Sequence, residues 1–278
     1  MFQKLILCGV AVFTLLTAGA QQLKTPAPSP TQTIKQDFGV SSVELTYSRP
    51  AMKGRKIFGD LVPYGKLWRT GANAATRIKF ADDVQIGGTT VKAGEYVLYT
   101  VPSEKEWEVV INKGLNNWGV DGYKESEDVA RVKVKSLKLD EPFESFTMQF
   151  MDVKPNSTNL YIAWDKTAVA VPITTDVDAK VMAQINSMIL KDSRPYAAAA
   201  AYYVETGRDL NQALTWFDKA IEQNPKAYWI YHQKANTLAK AGKKAEARTT
   251  AQRSMELAKE ANNNDYVRLN EKLLADLK

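Results

Sequence analysis

Cysteine and histidine are nearly absent from this 278-residue chain, which has one of each. Cys8 lies within the first 20 residues, so a chain processed after them holds no thiol. That excludes disulfides, thiolate metal sites and a cysteine nucleophile together. His232, the lone imidazole, falls in the second half. A Ser-His-Asp triad in the first half and a multi-histidine metal centre are excluded with it, and His232 reads as a helix-surface or groove residue. The sequence carries no metal-ligand set, no cofactor motif and no catalytic residue that can be named.

Long hydrophobic runs are scarce too. The main one, Leu5 to Leu16, follows Lys4 and leads into Ala18-Gly19-Ala20, the pattern of a signal peptide over residues 1–20 with cleavage before Gln21. A membrane-spanning helix needs about 20 apolar residues, so no integral membrane segment is expected in the mature chain. Cys8 sits inside the apolar run with no room ahead of it for a leader, which argues against a lipid anchor. The expected location is exported, periplasmic or secreted. A strong charge bias is the third absence. The net charge is +6, and it divides evenly: residues 31–175 hold 19 Lys and Arg against 18 Asp and Glu, and residues 176–278 hold 16 against 13. Neither half has the charge of a nucleic-acid binder.

What is present, 45% hydrophobic and 24% charged residues, is globular and long enough for two domains. Residues 21–33, QQLKTPAPSPTQT, carry three prolines and no aromatic residue and read as a flexible linker. Over residues 34–175 short stretches alternate or run apolar: Val43 to Tyr47, Thr76–Phe80, Val84–Ile86, Tyr96–Val101, Trp107–Asn112, Val132–Leu137, Phe146–Val153, Leu160–Trp164 and Ala168–Ile173. About nine strands without an intervening amphipathic helix predict an antiparallel β-sandwich. At Asp176 the period changes. Val177, Val181, Ile185 and Met188 predict a connecting helix within residues 176–193, packed on the sandwich or joining the halves, and residues 194–278 read as α-helical hairpins. The fold class is α+β in two parts.

The densest pattern is Tyr47 to Arg77, YSRPAMKGRKIFGDLVPYGKLWRTGANAATR. Its prolines and glycines forbid a helix and predict a long shaped loop, a kind that is uncommon without a role. Arg49, Lys53, Arg55 and Lys56 come without an acid, and Trp68, Arg69, Thr70 and Asn73 follow as groups that stack and donate. This is recognition chemistry for anions or polyols. The alternative is a plug: Trp68 and Tyr64 fill one end of the sandwich while Arg69 and Asn73 satisfy loop carbonyls. Both readings stay open on the sequence.

Four segments carry a family resemblance: Ser48–Gly59, Leu61–Thr76, Ala93–Pro102, and Glu106–Lys113 with Trp118 and Gly119. In this order they resemble the DUF2911 family, exported bacterial proteins whose biochemical role is not established, over about residues 33–175. The resemblance implies an exported β domain and brings no catalytic residues. Asn112 and Trp118, in the family's other polar-aromatic motif, are expected to complete a ligand site with Arg49, Lys53, Arg55, Trp68, Arg69, Thr70 and Asn73.

In the second half Ala213, Phe217, Ala220 and Pro225 follow the spacing of a tetratricopeptide second helix. A shift of 34 residues aligns Ala213 with Ala247 and Phe217 with Ala251, and brings Gly207 near Gly242. The region resembles two tetratricopeptide repeats over about residues 194–260, with a last helix from Asp265 to Leu277 as cap. Ala197 stands where the motif favours Trp, and Lys259 where it closes with Pro. Two repeats are fewer than the roughly three that stand alone, so the helices need support from the sandwich, the cap or another subunit. Tyr202, Tyr203, Trp216, Tyr228, Trp229 and Tyr231 line either a peptide groove or the inter-helix core.

These features favour a non-enzymatic binding or assembly protein of the bacterial envelope. Its β domain takes an unidentified small molecule or glycan, and its helices take a protein or peptide. The alternatives are a purely structural protein and a carbohydrate-active hydrolase using paired carboxylates among Asp60, Asp82, Asp83 and Glu95.

Overall fold

The computed structural model describes residues 25–190 and 195–277, so the expected leader and the first four linker residues lie outside it. The chain divides into two compact units, residues 1–175 and 176–278.

Among the described residues of the first unit, nine strands form one antiparallel sheet. They are β1 (Thr31–Phe38), β2 (Ser41–Ser48), β3 (Thr76–Phe80), β4 (Val84–Ile86), β5 (Thr89–Val91), β6 (Gly94–Val101), β7 (Glu106–Asn112), β8 (Asp128–Lys154) and β9 (Ser157–Thr174). Their order across the sheet is β1-β2-β3-β6-β7-β8-β9-β4-β5. The number nine agrees with the sequence reading, but the elements differ. The stretches expected as separate strands around 132–137 and 146–153 are one strand, β8, and those at 160–164 and 168–173 are one strand, β9. Bulges between Lys138, Phe143 and Thr147 absorb the polar Asp140-Glu141-Pro142 segment, which resembles a turn in sequence. β1 begins inside the expected linker. It is an edge strand with a single apolar residue, Ile34, before Phe38, so its signal is thin.

β8 pairs with β7 through Lys135 and with β9 from Ser136 onward, which lets the sheet fold over one core. Val43, Leu45 and Tyr47 of β2, Ile78 and Phe80 of β3, Trp107 of β7, Phe146 of β8 and Trp164 of β9 all belong to it. The chain after β2 ties to the middle of β8. Met52 N–H donates to Glu144 O at 2.7 Å and Phe146 N–H to Pro50 O at 2.8 Å, around a bridge between Ala51 and Ser145. Nearby the Tyr47 hydroxyl accepts from Met148 N–H at 2.9 Å, and burial raises its pKa. A smaller apolar cluster, built on Ala75, Val97, Tyr99 and Val110 with Leu67, Leu115 and Tyr123, lies apart from this core.

The second unit consists of α1 (Val177–Leu190), α2 (Tyr196–Glu205), α3 (Leu210–Gln223), α4 (Tyr228–Lys240), α5 (Lys244–Glu260) and α6 (Asn264–Asp276). Ala200, Ala213, Ala235, Ala247, Ala251 and Ala258 are all fully buried, and such small side chains let helices approach closely. The paired positions Ala213 and Ala247 are both at 0%, as the 34-residue shift expects, and Phe217 and Ala251 are buried alike. Gly207 and Gly242 close the two hairpin turns at φ 69° and 76°. α1 is part of this helical unit. Ile185 joins the cluster of α2 and α3 with Val181 and Met182, and Asp178 binds Arg208 and the Tyr202 hydroxyl. The support that two repeats need therefore includes α1. Among the described residues no helix is long and apolar enough to cross a membrane.

Candidate functional site

The Arg49–Thr76 loop is held by what it buries. Ile57, Phe58 and Val62 enter the core, and Trp68 pairs its backbone with Thr100 in both directions, at 2.7 and 3.0 Å. Its indole stacks on Trp164 with ring centroids 6.0 Å apart and meets Phe146 edge-on at 5.1 Å, while its Nε1–H donates to Gly71 O at 3.1 Å. Trp68, partly buried, thus packs against the core. Trp107, fully buried in the same cluster, has no polar partner for its Nε1–H among the described residues, and Phe58 meets it edge-on at 4.9 Å. Lys53, Thr70 and Asn73 take positive φ (50°, 54° and 58°), so the loop's bends rest on side-chain residues as well as on glycine.

The loop's cations separate by partner. Arg49 donates to Phe146 O at 3.1 Å and to Thr147 Oγ1 at 3.0 Å, straddling β8. Arg55 wraps back on Met52 O at 2.9 Å and Ala51 O at 2.6 Å. Both spend their donors on the protein itself, Arg55 on two carbonyls and Arg49 on one carbonyl and one hydroxyl. The Lys53 side chain is exposed, and its backbone N–H is held by Glu144 at 3.0 Å. Arg69 differs. Among the described residues its side chain makes one protein hydrogen bond, a long one of 3.4 Å to Asn73 O, and no carboxylate pairs with it. Thr70 is fully buried against Thr100, and Asn73 donates to Ser29 O and Ser48 Oγ at 3.3 Å each.

The loop between β7 and β8 is fastened by Asn112. This fully buried amide donates to Lys124 O at 3.0 Å and Asp128 Oδ1 at 2.8 Å, and accepts from Gly114 N–H. Asn117 donates to the Tyr99 hydroxyl. Tyr123 donates to Asp128 at 2.9 Å, and its pKa is pushed up to about 12, by burial first and then by Asp128. At the tip Trp118 is 65% exposed. A side chain at Gly119 would begin 2.7 Å from Arg69 Nη1, so the Arg69 guanidinium lies against the peptide next to Trp118. The two polar-aromatic motifs therefore meet at Arg69 and Gly119. Of the nine expected residues, Arg69, Asn73 and Trp118 reach this surface; Thr70 and Asn112 are internal, Trp68 is partly buried against the core, and Arg49, Lys53 and Arg55 lie at the β8 crossing.

Of the four carboxylates considered for hydrolysis, Asp83 and Glu95 make local contacts. Asp83 binds Lys92 at 2.8 Å and Ala93 N–H at 2.9 Å, and Glu95 binds Arg77 at 3.2 Å. Asp60 is exposed. Among the described residues, no three acidic or histidine side chains gather as a metal would require.

The helical unit has a groove of about 280 Å³ between α2 and α4, floored by Ala201, Val204 and Phe217 and edged by Glu205, Gln233 and Lys240. Sequence reasoning did not single out the edge residues. The helical spacing of Gln233 and Lys240 was the available signal. Most of the aromatic group instead makes helix contacts. Tyr203 meets Trp216 at 4.6 Å, Tyr228 meets Tyr266 at 5.0 Å, and Trp229 stays 41% exposed.

His232 joins α4 to α6. Asn236 Nδ2 donates to His232 O at 2.9 Å, and a carbonyl can only accept. The same nitrogen lies 3.0 Å from Nε2, which must therefore accept, leaving the proton on Nδ1 to donate to Asn270 Oδ1 at 2.8 Å. Asn270 is oriented in turn by donating to Tyr266 O at 2.7 Å.

A family model described as a protein of unknown function, DUF2911, matches residues 29–173, more than half of the chain. The chain belongs to that family. The DUF2911 match runs from just before β1 to Ile173 in β9 and includes both loops that meet at Arg69. A tetratricopeptide-repeat model matches residues 216–249, from the middle of α3 into α5. No curated protein and no solved structure matches the chain. DUF2911 supplies the fold of the first unit, and the repeat gives the second the character of a protein-interaction module.

Proposed function

We propose that this DUF2911 protein is an exported, non-catalytic binding protein of the bacterial envelope. Its β unit takes a small anionic or polyol ligand, a glycan included, on the surface shared by Arg69, Asn73 and Trp118, and its helical unit engages a protein. The observation that carries the ligand reading is Arg69. A guanidinium offers five donors, and here one long contact to Asn73 O is all that the described residues take, beside an exposed indole suited to a sugar face or a planar group. A loop held by a rigid sheet is where recognition sits. Export rests on the charge, apolar run and small-residue ending of residues 1–20.

Screening the full chain against neutral and acidic oligosaccharides tests the ligand reading, with Arg69→Ala and Trp118→Ala as controls. Both variants are expected to lose the binding that wild type shows. A ligand retained by both places recognition elsewhere. N-terminal sequencing of exported material is expected to begin at Gln21, and an intact leader contradicts the export reading.

A further inference from the structure

The groove of the helical unit is apolar at its floor and charged on its two walls. Ala201 and Val204 on α2 and the fully buried Phe217 on α3 make the floor, where the small Ala201 leaves room. Helices joined by short turns reverse direction each time, so α2 and α4 run the same way. Glu205 and Lys240 are the last residues of these two helices, and both line the groove. They stand at the same end, on opposite walls.

Neither forms an ion pair among the described residues, although Arg208 and Lys234 do. Arg208 is bound by Asp178, and Lys234 by Asp218. Glu205 is also misplaced for its own helix. An acid in the last turn meets the negative end of the helix dipole, and no basic residue shares that turn of α2. An unpaired acid kept against the dipole, across a groove from an unpaired base, leaves two complementary charges for something that lies between them. At about 280 Å³ the groove is slightly below the roughly 300–1,000 Å³ of sites for drug-sized ligands. It suits a smaller molecule.

We propose that this groove binds a free apolar α-amino acid. The ammonium faces Glu205, the carboxylate faces Lys240, and the side chain runs over Ala201, Val204 and Phe217. This gives the helical unit a small-molecule site.

The test uses the full chain with L-leucine and L-phenylalanine as probes, followed by calorimetry and by amide shifts of Gln233 and Thr237. The expected result is saturable binding that moves these shifts and falls at least tenfold when the probe is N-acetylated or its carboxylate is amidated. Glu205→Lys and Lys240→Glu are each expected to weaken binding at least tenfold. The double exchange restores it, because a zwitterion can turn around between exchanged charges. Retained folding of the variants is read from their circular dichroism. Equal binding of blocked and free amino acids, indifference to either charge reversal, or unmoved shifts with both probes overturns the proposal. The reading of the unit as a protein-contacting module is judged separately, by whether cross-links to a partner map to residues 176–278.

Discussion

In the β unit, Arg49, Arg55, Thr70 and Asn112 direct their hydrogen bonds into the loops and strands that carry them. In the helical unit, the groove over Phe217 exists because Ala201 is too small to fill it. One surface is built by polar side chains that must all be satisfied, and the other is left open between regular helices. The contrast predicts different responses to change. Removing a supporting residue of the β loops should collapse a surface, whereas altering an edge residue of the helical groove should change what binds and leave the fold in place.

The largest effect tests whether the helical array depends on its first helix. A fragment of residues 176–278 is expected to unfold in one cooperative circular-dichroism transition. A fragment of residues 195–278, without Ile185 and the Asp178 pairing, is expected to show none, since two hairpins and a cap bury too little apolar surface. A cooperative melt of the shorter fragment would show that α1 is dispensable. Next comes the plug of the β unit. Trp68→Ala is expected to cost about 3–5 kcal/mol, read in thermal unfolding of a residue 25–175 fragment, because it empties the centre of the five-ring cluster. A smaller loss belongs to Asn270→Ala, about 1–3 kcal/mol in the 176–278 fragment, since it leaves the His232 Nδ1–H without its acceptor. An unchanged melting temperature for that variant would mean that the link between α4 and α6 is idle.

Much of this architecture is legible in the sequence, and the exceptions have physical causes. The change of period at Asp176 marks the boundary of the units, because strands and helices repeat their apolar residues differently. The continuity of β8 is hidden by Asp140-Glu141-Pro142, where a bulge does what a turn would do in a shorter hairpin. β1 is hidden because an edge strand buries little, and α1 is read as a connecting helix because its partners, α2 and α3, follow it in the chain. Within the candidate site, the sequence places Arg49 and Arg69 in one cluster of cations. Only the fold tells them apart, since Arg49 donates to the Phe146 carbonyl, 97 residues away, and to the Thr147 hydroxyl beside it. The meeting of Arg69 with Gly119 is a contact between two loops, and no spacing along the chain encodes it.

That distinction between the two arginines is the centre of the account, and paired thermal melts of Arg49→Ala and Arg69→Ala in the full chain test it most directly. Loss of Arg49 leaves Phe146 O and Thr147 without a charged donor and is expected to cost about 1.5–3 kcal/mol. Loss of Arg69, with a single long contact, is expected to stay within about 0.5 kcal/mol. A fall in stability for Arg69→Ala as large as that for Arg49→Ala would contradict the account and make the whole loop a structural plug.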